Sequence, residues 1–156
     1  MTALPPFQAV LDEHREDVYR FLVALAGRQE ADDCFQETLM SAIRAYPKLD
    51  PAADGRAWLF TIARRKAVDS HRARGRRAIP VDSVPEATAP SNGTGPDPEL
   101  WGLVRALPPK QRAAVALRFV ADLSHAEVGA ALDCSEEAAR RNLHEGIARL
   151  REEWVR

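Results

Sequence analysis

Apolar positions in the first 77 residues recur every three or four places, in three separate stretches. Val10, Leu11, Val18, Phe21, Leu22 and Leu25, with His14 among them, share one face of a predicted helix from about Phe7 to Ala26, ended by Gly27. Phe35, Leu39, Ala42, Ile43 and Tyr46 make the inward stripe of a second, from about Ala31 to Tyr46, stopped by Pro47. A third begins at Asp54, whose short carboxylate suits an N-cap. It runs through Trp58, Leu59, Ile62, Ala63 and Val68 into a basic stretch.

The periodicity then stops. AIPVDSVPEATAPSNGTGPDP, residues 78–98, has five prolines, two glycines and almost no large apolar residue. Such a segment cannot bury enough surface to fold and is expected to be a flexible linker. At about 3.1 Å per residue it would span up to roughly 60 Å, nearly two turns of DNA at about 34 Å each.

Beyond it the helical pattern returns. Asp97-Pro98 reads as an N-cap followed by proline at the first helical position. A short helix with Leu100, Leu103, Val104 and Leu107 ends at Pro108-Pro109, and the next carries Ala113, Val115, Ala116, Leu117 and Phe119. Ser124 and Glu127 form the S-x-x-E capping box of a helix with Val128 and Leu132 inside. Asp133-Cys134 makes a tight turn. Ser135 caps a last helix whose inner stripe is Ala139, Leu143, Ile147, Leu150 and Trp154.

The expected fold is therefore all-α: two small helical modules, residues 1–77 and 99–156, joined by a flexible proline-rich linker at 78–98. In the second module a short helix and a longer one meet at a tight turn, the helix-turn-helix pattern. The plain alternative is a small bundle that happens to carry arginines on its last helix.

Charge changes the picture. The chain has net charge −1, yet residues 1–55 carry −5, 56–77 carry +7, 78–98 carry −3 and 99–156 carry zero. Seven of the cations fall in RRKAVDSHRARGRR, residues 64–77. Segregated charge reports on partners, and this stretch alone would suit DNA, RNA or a lipid surface. The second module would present Ser135, Glu136, Glu137, Ala138, Arg140, Arg141, Asn142, His144 and Glu145 to a major groove, where Arg pairs with guanine and Asn with adenine. Being neutral, and with Glu136, Glu137 and Glu145 opposing phosphate, it should hold DNA only weakly by itself.

Other classes gain little. Four histidines and two cysteines show no metal or nucleophile–base spacing, and no glycine-rich phosphate loop occurs, so neither an enzyme nor a metal or other cofactor is expected. Cys34 and Cys134 are expected to be ordinary reduced thiols. No apolar run approaches the roughly 20 residues that cross a bilayer. The N-terminus lacks the basic-then-apolar order of a signal peptide, so no membrane insertion and a cytoplasmic location are expected.

LPPKQRAAVALRFVADLSHAEVGAALDCSEEAARRNLHEGIARLR resembles region 4 of bacterial sigma factors of the small extracytoplasmic-function (ECF) type. ADDCFQETLMSAIRAY and AWLFTIARRKAVDSHRARGRR resemble region 2, in the family's order. The resemblance implies a promoter-specificity subunit that binds core RNA polymerase and promoter DNA and is not itself an enzyme. It implies that Asp32, Asp33, Gln36 and Glu37 dock on the polymerase clamp helices. Arg64, Arg65, Lys66, Asp69, Arg72, Arg74, Arg76 and Arg77 would meet the −10 element. Trp58 and Phe60 lie nearby, either as base-stacking surfaces or as core. Ser135, Glu136, Arg140, Arg141, Asn142 and His144 would meet the −35 element, with Lys110, Gln111 and Arg112 near the DNA backbone or the polymerase flap.

Arg65 stands where many members have Asn, which implies a phosphate contact in place of a base contact. Glu137-Ala138-Ala139, Arg141-Asn142-Leu143 and Glu145 also depart from the family's usual recognition helix, which implies a divergent −35 preference. The resemblance further suggests an anti-sigma factor or other control protein. The alternative function is a stand-alone helix-turn-helix regulator, which would bind duplex DNA specifically without polymerase.

Overall fold

The structure is a computed structural model that describes residues 4–77 and 98–155. Apart from Pro98, the expected linker lies outside the described residues. So do Asp97, the expected N-cap, and the side chains of Arg74, Arg76 and Arg77. Seven α-helices run through the described residues: α1 Phe7–Ala26, α2 Arg28–Ala45, α3 Gly55–Arg77, α4 Pro98–Arg105, α5 Pro109–Phe119, α6 His125–Leu132 and α7 Glu136–Val155. A single 3₁₀ turn, Tyr46–Lys48, follows α2.

Gly27 sets the first corner. Its φ of 85° lies in the left-handed region that glycine adopts without a steric cost. Its N–H donates to Val23 O at 2.9 Å and its carbonyl accepts from Ala31 N at 3.0 Å, so one residue both ends α1 and opens α2. The second helix therefore starts at Arg28, three residues before the expected Ala31. Asp54 caps α3 as expected: its Oδ1 accepts from Arg56 N at 3.0 Å and Ala57 N at 3.3 Å.

Phe21 and Phe60 meet edge to face, with ring centroids 5.3 Å apart and planes at 90°, among Val18, Leu22, Leu25 and Leu59. Phe60 is wholly buried, so it belongs to the core and offers no surface to a base. Trp58 is half-buried and packs on Tyr46 at 5.8 Å, and Tyr46 packs in turn on Phe7.

Of the expected α2 stripe, Ala42 and Tyr46 are buried and Phe35 packs against the core, but the rest of the buried face differs. Ala31, Cys34, Thr38 and Ala42 face inward, while Ile43 is 56% exposed. These small residues let α2 lie close to α1 and α3. The Thr38 hydroxyl is satisfied by its own helix, donating to Cys34 O at 2.6 Å. Burial pushes the Cys34 thiol above its ordinary pKa.

In the second half, Trp101, Val104, Leu107, Ala113, Val115, Leu117, Leu123, Val128, Leu132, Ala139 and Leu143 close a core among α4–α7. Trp154, expected on the inner stripe, is 53% exposed in the last turn of α7, and Phe119 is 61% exposed at the end of α5.

The halves also pack on each other. Helices α1 and α3 lie against α4, α5 and α6, and the buried residues of both halves form one continuous cluster. Arg56 Nη2 donates to Ala121 O and Arg64 Nε to Ala131 O, the latter at 2.9 Å. The modules read as separate from the sequence are thus in direct contact.

Candidate polymerase and nucleic-acid interfaces

Once α2 buries its small residues, its opposite face is fixed. Asp33, Gln36, Glu37 and Met40 are spaced as neighbours on one helix face, and all are exposed. Ile43 continues the row, so acids and an amide end in two exposed apolar side chains, Met40 at 54% and Ile43 at 56%. Asp32 is exposed at the margin and accepts a 2.8 Å hydrogen bond from the Tyr19 hydroxyl. That bond to a carboxylate raises the Tyr19 pKa. Tyr19 is itself held by an edge-to-face contact with Phe35 at 5.7 Å. Ile43 belongs to the apolar stripe expected inside, and Met40 stands outside that stripe. A helical register drawn through Ala31, Cys34, Thr38 and Ala42 would have exposed both.

The basic helix divides in two. Arg65, Asp69 and Arg72 are exposed and follow i, i+4, i+7 spacing along one outward row. Arg64 points elsewhere. It is half-buried against α6, and its pKa falls below the ordinary value through burial first and the charge of Arg65 second. Lys66 is half-buried too. In this arrangement Arg64 joins the halves and is not offered to a nucleic acid.

The helix-turn-helix is built as its sequence reads. Ser124 Oγ accepts from Glu127 N at 3.1 Å, and Glu127 Oε1 accepts from Ser124 N at 3.0 Å. Asp133 takes the left-handed conformation, φ 57°, and turns the chain. Ser135 Oγ caps α7 by accepting from Ala138 N at 3.1 Å. Gly129 permits the tight turn: a Cβ there would stand 3.0 Å from Cys134 O.

Side chains on α7 are not equally available. Arg140 Nη2 pairs with Glu136 Oε1 at 3.3 Å, and Asn142 Nδ2 donates to Ala138 O of its own helix at 3.0 Å. Arg141 and His144 are exposed on one row with Glu137. Of the three residues assigned to the DNA backbone or the flap, only Lys110 is exposed. Gln111 is buried and donates to Glu145 Oε2 at 3.3 Å, and Arg112 turns inward to Leu107 O at 3.1 Å.

The chain thus combines an exposed acidic–apolar face on α2, a basic outward row on α3 and a capped helix-turn-helix. Residues 10–77 match the model of Sigma-70 region 2, and residues 103–152 that of Sigma-70, region 4. The chain is 35% identical over 162 residues to the ECF RNA polymerase sigma factor SigD of Mycobacterium tuberculosis, covering 94% of this chain and 76% of that protein. It is 31% identical over 162 residues to the ECF RNA polymerase sigma factor SigE of Mycolicibacterium smegmatis; the match covers 96% of this chain but spans only 62% of that relative's length. Among solved structures, the sigma factor RpoE of Bartonella quintana, in complex with the anti-sigma factor NepR, superposes with a TM-score of 0.79 at 25% identity, covering 94% of each chain. The chain belongs to the ECF RNA polymerase sigma factors, a family that directs promoter recognition in transcription initiation.

Proposed function

We propose that this chain binds core RNA polymerase through the outward face of α2 and carries it to promoters. Asp32, Asp33, Gln36 and Glu37 give that face its polarity, and Met40 and Ile43 give it an apolar anchor. Such a pairing of desolvated apolar contact with a charged rim suits a protein interface. Residues 1–77 act as the polymerase-binding and −10 module, 78–98 as the connection and 99–156 as the −35 module. Arg65 and Arg72, with Arg74, Arg76 and Arg77 further along α3, hold the −10 DNA. Arg141 and His144 lead the reading of the −35 duplex, with Ser135, Glu136, Arg140 and Asn142 around them.

The single observation that carries this reading is the split of α2 into a small-residue face packed inside and a face of acids, Met40 and Ile43 left uncovered. The factor works in the cytoplasm and performs no catalysis of its own; among the described residues no helix is long and apolar enough to cross a membrane. The chain binds an anti-sigma factor, as RpoE of Bartonella quintana is found in complex with NepR. Because α3 lies on α6 and Arg64 is committed to Ala131, docking on polymerase must part the halves before both DNA elements are reached. Weak binding by each half then becomes strong through tethering.

The test is transcription from mapped promoters with purified core polymerase. The chain should form a complex with core and direct initiation, and M40D/I43D should lose both. Specific duplex binding by the chain alone, with no effect of core, would instead favour the stand-alone regulator.

A further inference from the structure

Where the halves meet, α1 and α3 on one side and α4 and α5 on the other line a half-open cavity of about 400 Å³. That is within the roughly 300–1,000 Å³ range of small-molecule sites. Leu25, Ala26 and Ala67 give it apolar wall, and Ser70, His71, Arg105 and Arg112 line the rest. Both arginines are half-buried. Burial lowers both guanidinium pKa values, and the charge of Arg105 lowers that of Arg112 further.

Neither cation has a carboxylate within ion-pair distance among the described residues. Arg105 donates no hydrogen bond there. Arg112 donates one, from Nη2 to Leu107 O, while its Nε is buried with no acceptor. A guanidinium has five N–H donors, so most of this capacity is unused. Glu30, on α2, accepts from the Ser70 hydroxyl at 3.2 Å. Two like charges held half out of water and facing a cavity destabilise the chain unless an anion joins them. Paired guanidinium groups match the oxygens of a phosphate or carboxylate through two-pronged hydrogen bonds.

We propose that this cavity is a binding site for a small organic oxyanion, clamped by Arg105 and Arg112 with its apolar part against Leu25 and Ala67. Its walls come from both halves, so the bound molecule holds them together. The consequence for transcription rests on the function proposed above: a chain locked in this arrangement docks on polymerase less readily.

Titration calorimetry and thermal unfolding of the full chain, at matched ionic strength, test the site without polymerase. The probes are phenyl phosphate, benzoate and inorganic phosphate, with chloride as the control. One equivalent of phenyl phosphate or benzoate should bind and raise the unfolding midpoint above the chloride control, and the stronger of the two identifies the oxyanion. Inorganic phosphate should bind more weakly than phenyl phosphate, for lack of the apolar contact. Arg105→Gln should weaken binding about tenfold or more while leaving the ligand-free midpoint unchanged or higher, since it removes an uncompensated charge. Arg105→Lys, which keeps the charge but not the fork, should also bind more weakly than the native chain. The proposal falls if no probe exceeds chloride, or if both variants bind as the native chain does. Because these readouts need no polymerase or promoter, failure here leaves the transcription reading standing, and failure there leaves this one.

Discussion

Helices α3 and α7 are the two that would face DNA, and they are made differently. The segment 56–77 has net charge +7 and shows Arg65, Asp69 and Arg72 along one outward row. The segment 99–156 has net charge zero, and α7 spends Arg140 on Glu136 and Asn142 on its own backbone. On the proposed function, long-range attraction to phosphate would therefore reside in α3. Helix α7 is left with a few side chains at the end of a well-capped turn. A helix of the first kind gains affinity by releasing counterions, and one of the second kind gains discrimination from base contacts.

The largest expected effect comes from reversing the first of these. R65E/R72E should lower initiation about 100-fold or more, because two phosphate attractions become repulsions. Binding to core polymerase should stay native, which a pull-down would check. A variant that still opens promoters would remove α3 from the DNA path.

Arg141→Ala should cost about 1–3 kcal/mol of discrimination, roughly 5- to 150-fold, at one −35 position and leave the salt dependence nearly unchanged. Competition between promoter variants measures it. Equal losses on all sequences would make Arg141 a phosphate contact and dissolve the contrast with α3.

Gly129→Ala tests the turn that aims α7. The added Cβ would stand 3.0 Å from Cys134 O and 3.2 Å from Ser135 backbone atoms, and neither is a flexible side-chain end. We expect a loss of about 1–3 kcal/mol in stability, seen in thermal unfolding. Ser124→Ala should cost about 1 kcal/mol by removing half of the capping box of α6. The smallest effect belongs to Arg140→Ala. Its exposed partner is one turn away, so stability should move by no more than about 0.5 kcal/mol, and DNA selectivity less than in Arg141→Ala.

The two halves of the chain were not equally legible. The helix-turn-helix could be read because its signals are local: Ser124, Glu127, Asp133 and Ser135 act within three or four residues of themselves. The α2 face was legible only in part: Ala42 and Tyr46 are inside as expected, but a periodicity of apolar residues does not rank small ones. Ala31, Cys34 and Thr38 win the inside by fitting close to α1 and α3, not by hydrophobicity. Ile43 looks like core to a periodicity count and lies in the open. Arg64 and Gln111 looked like surface groups, yet their inward direction depends on neighbours that lie far away along the chain.

The sequence by itself determined the helices, most of their ends, the helix-turn-helix and the gathering of positive charge on α3. Each of these is set by side chains acting on nearby backbone or by composition. Only the tertiary structure decided which face of α2 stays uncovered, which arginines remain free and that the two halves share one core. Those depend on shape fit and desolvation between segments up to 67 residues apart, as in the bond from Arg64 to Ala131, and no local pattern encodes such a contact.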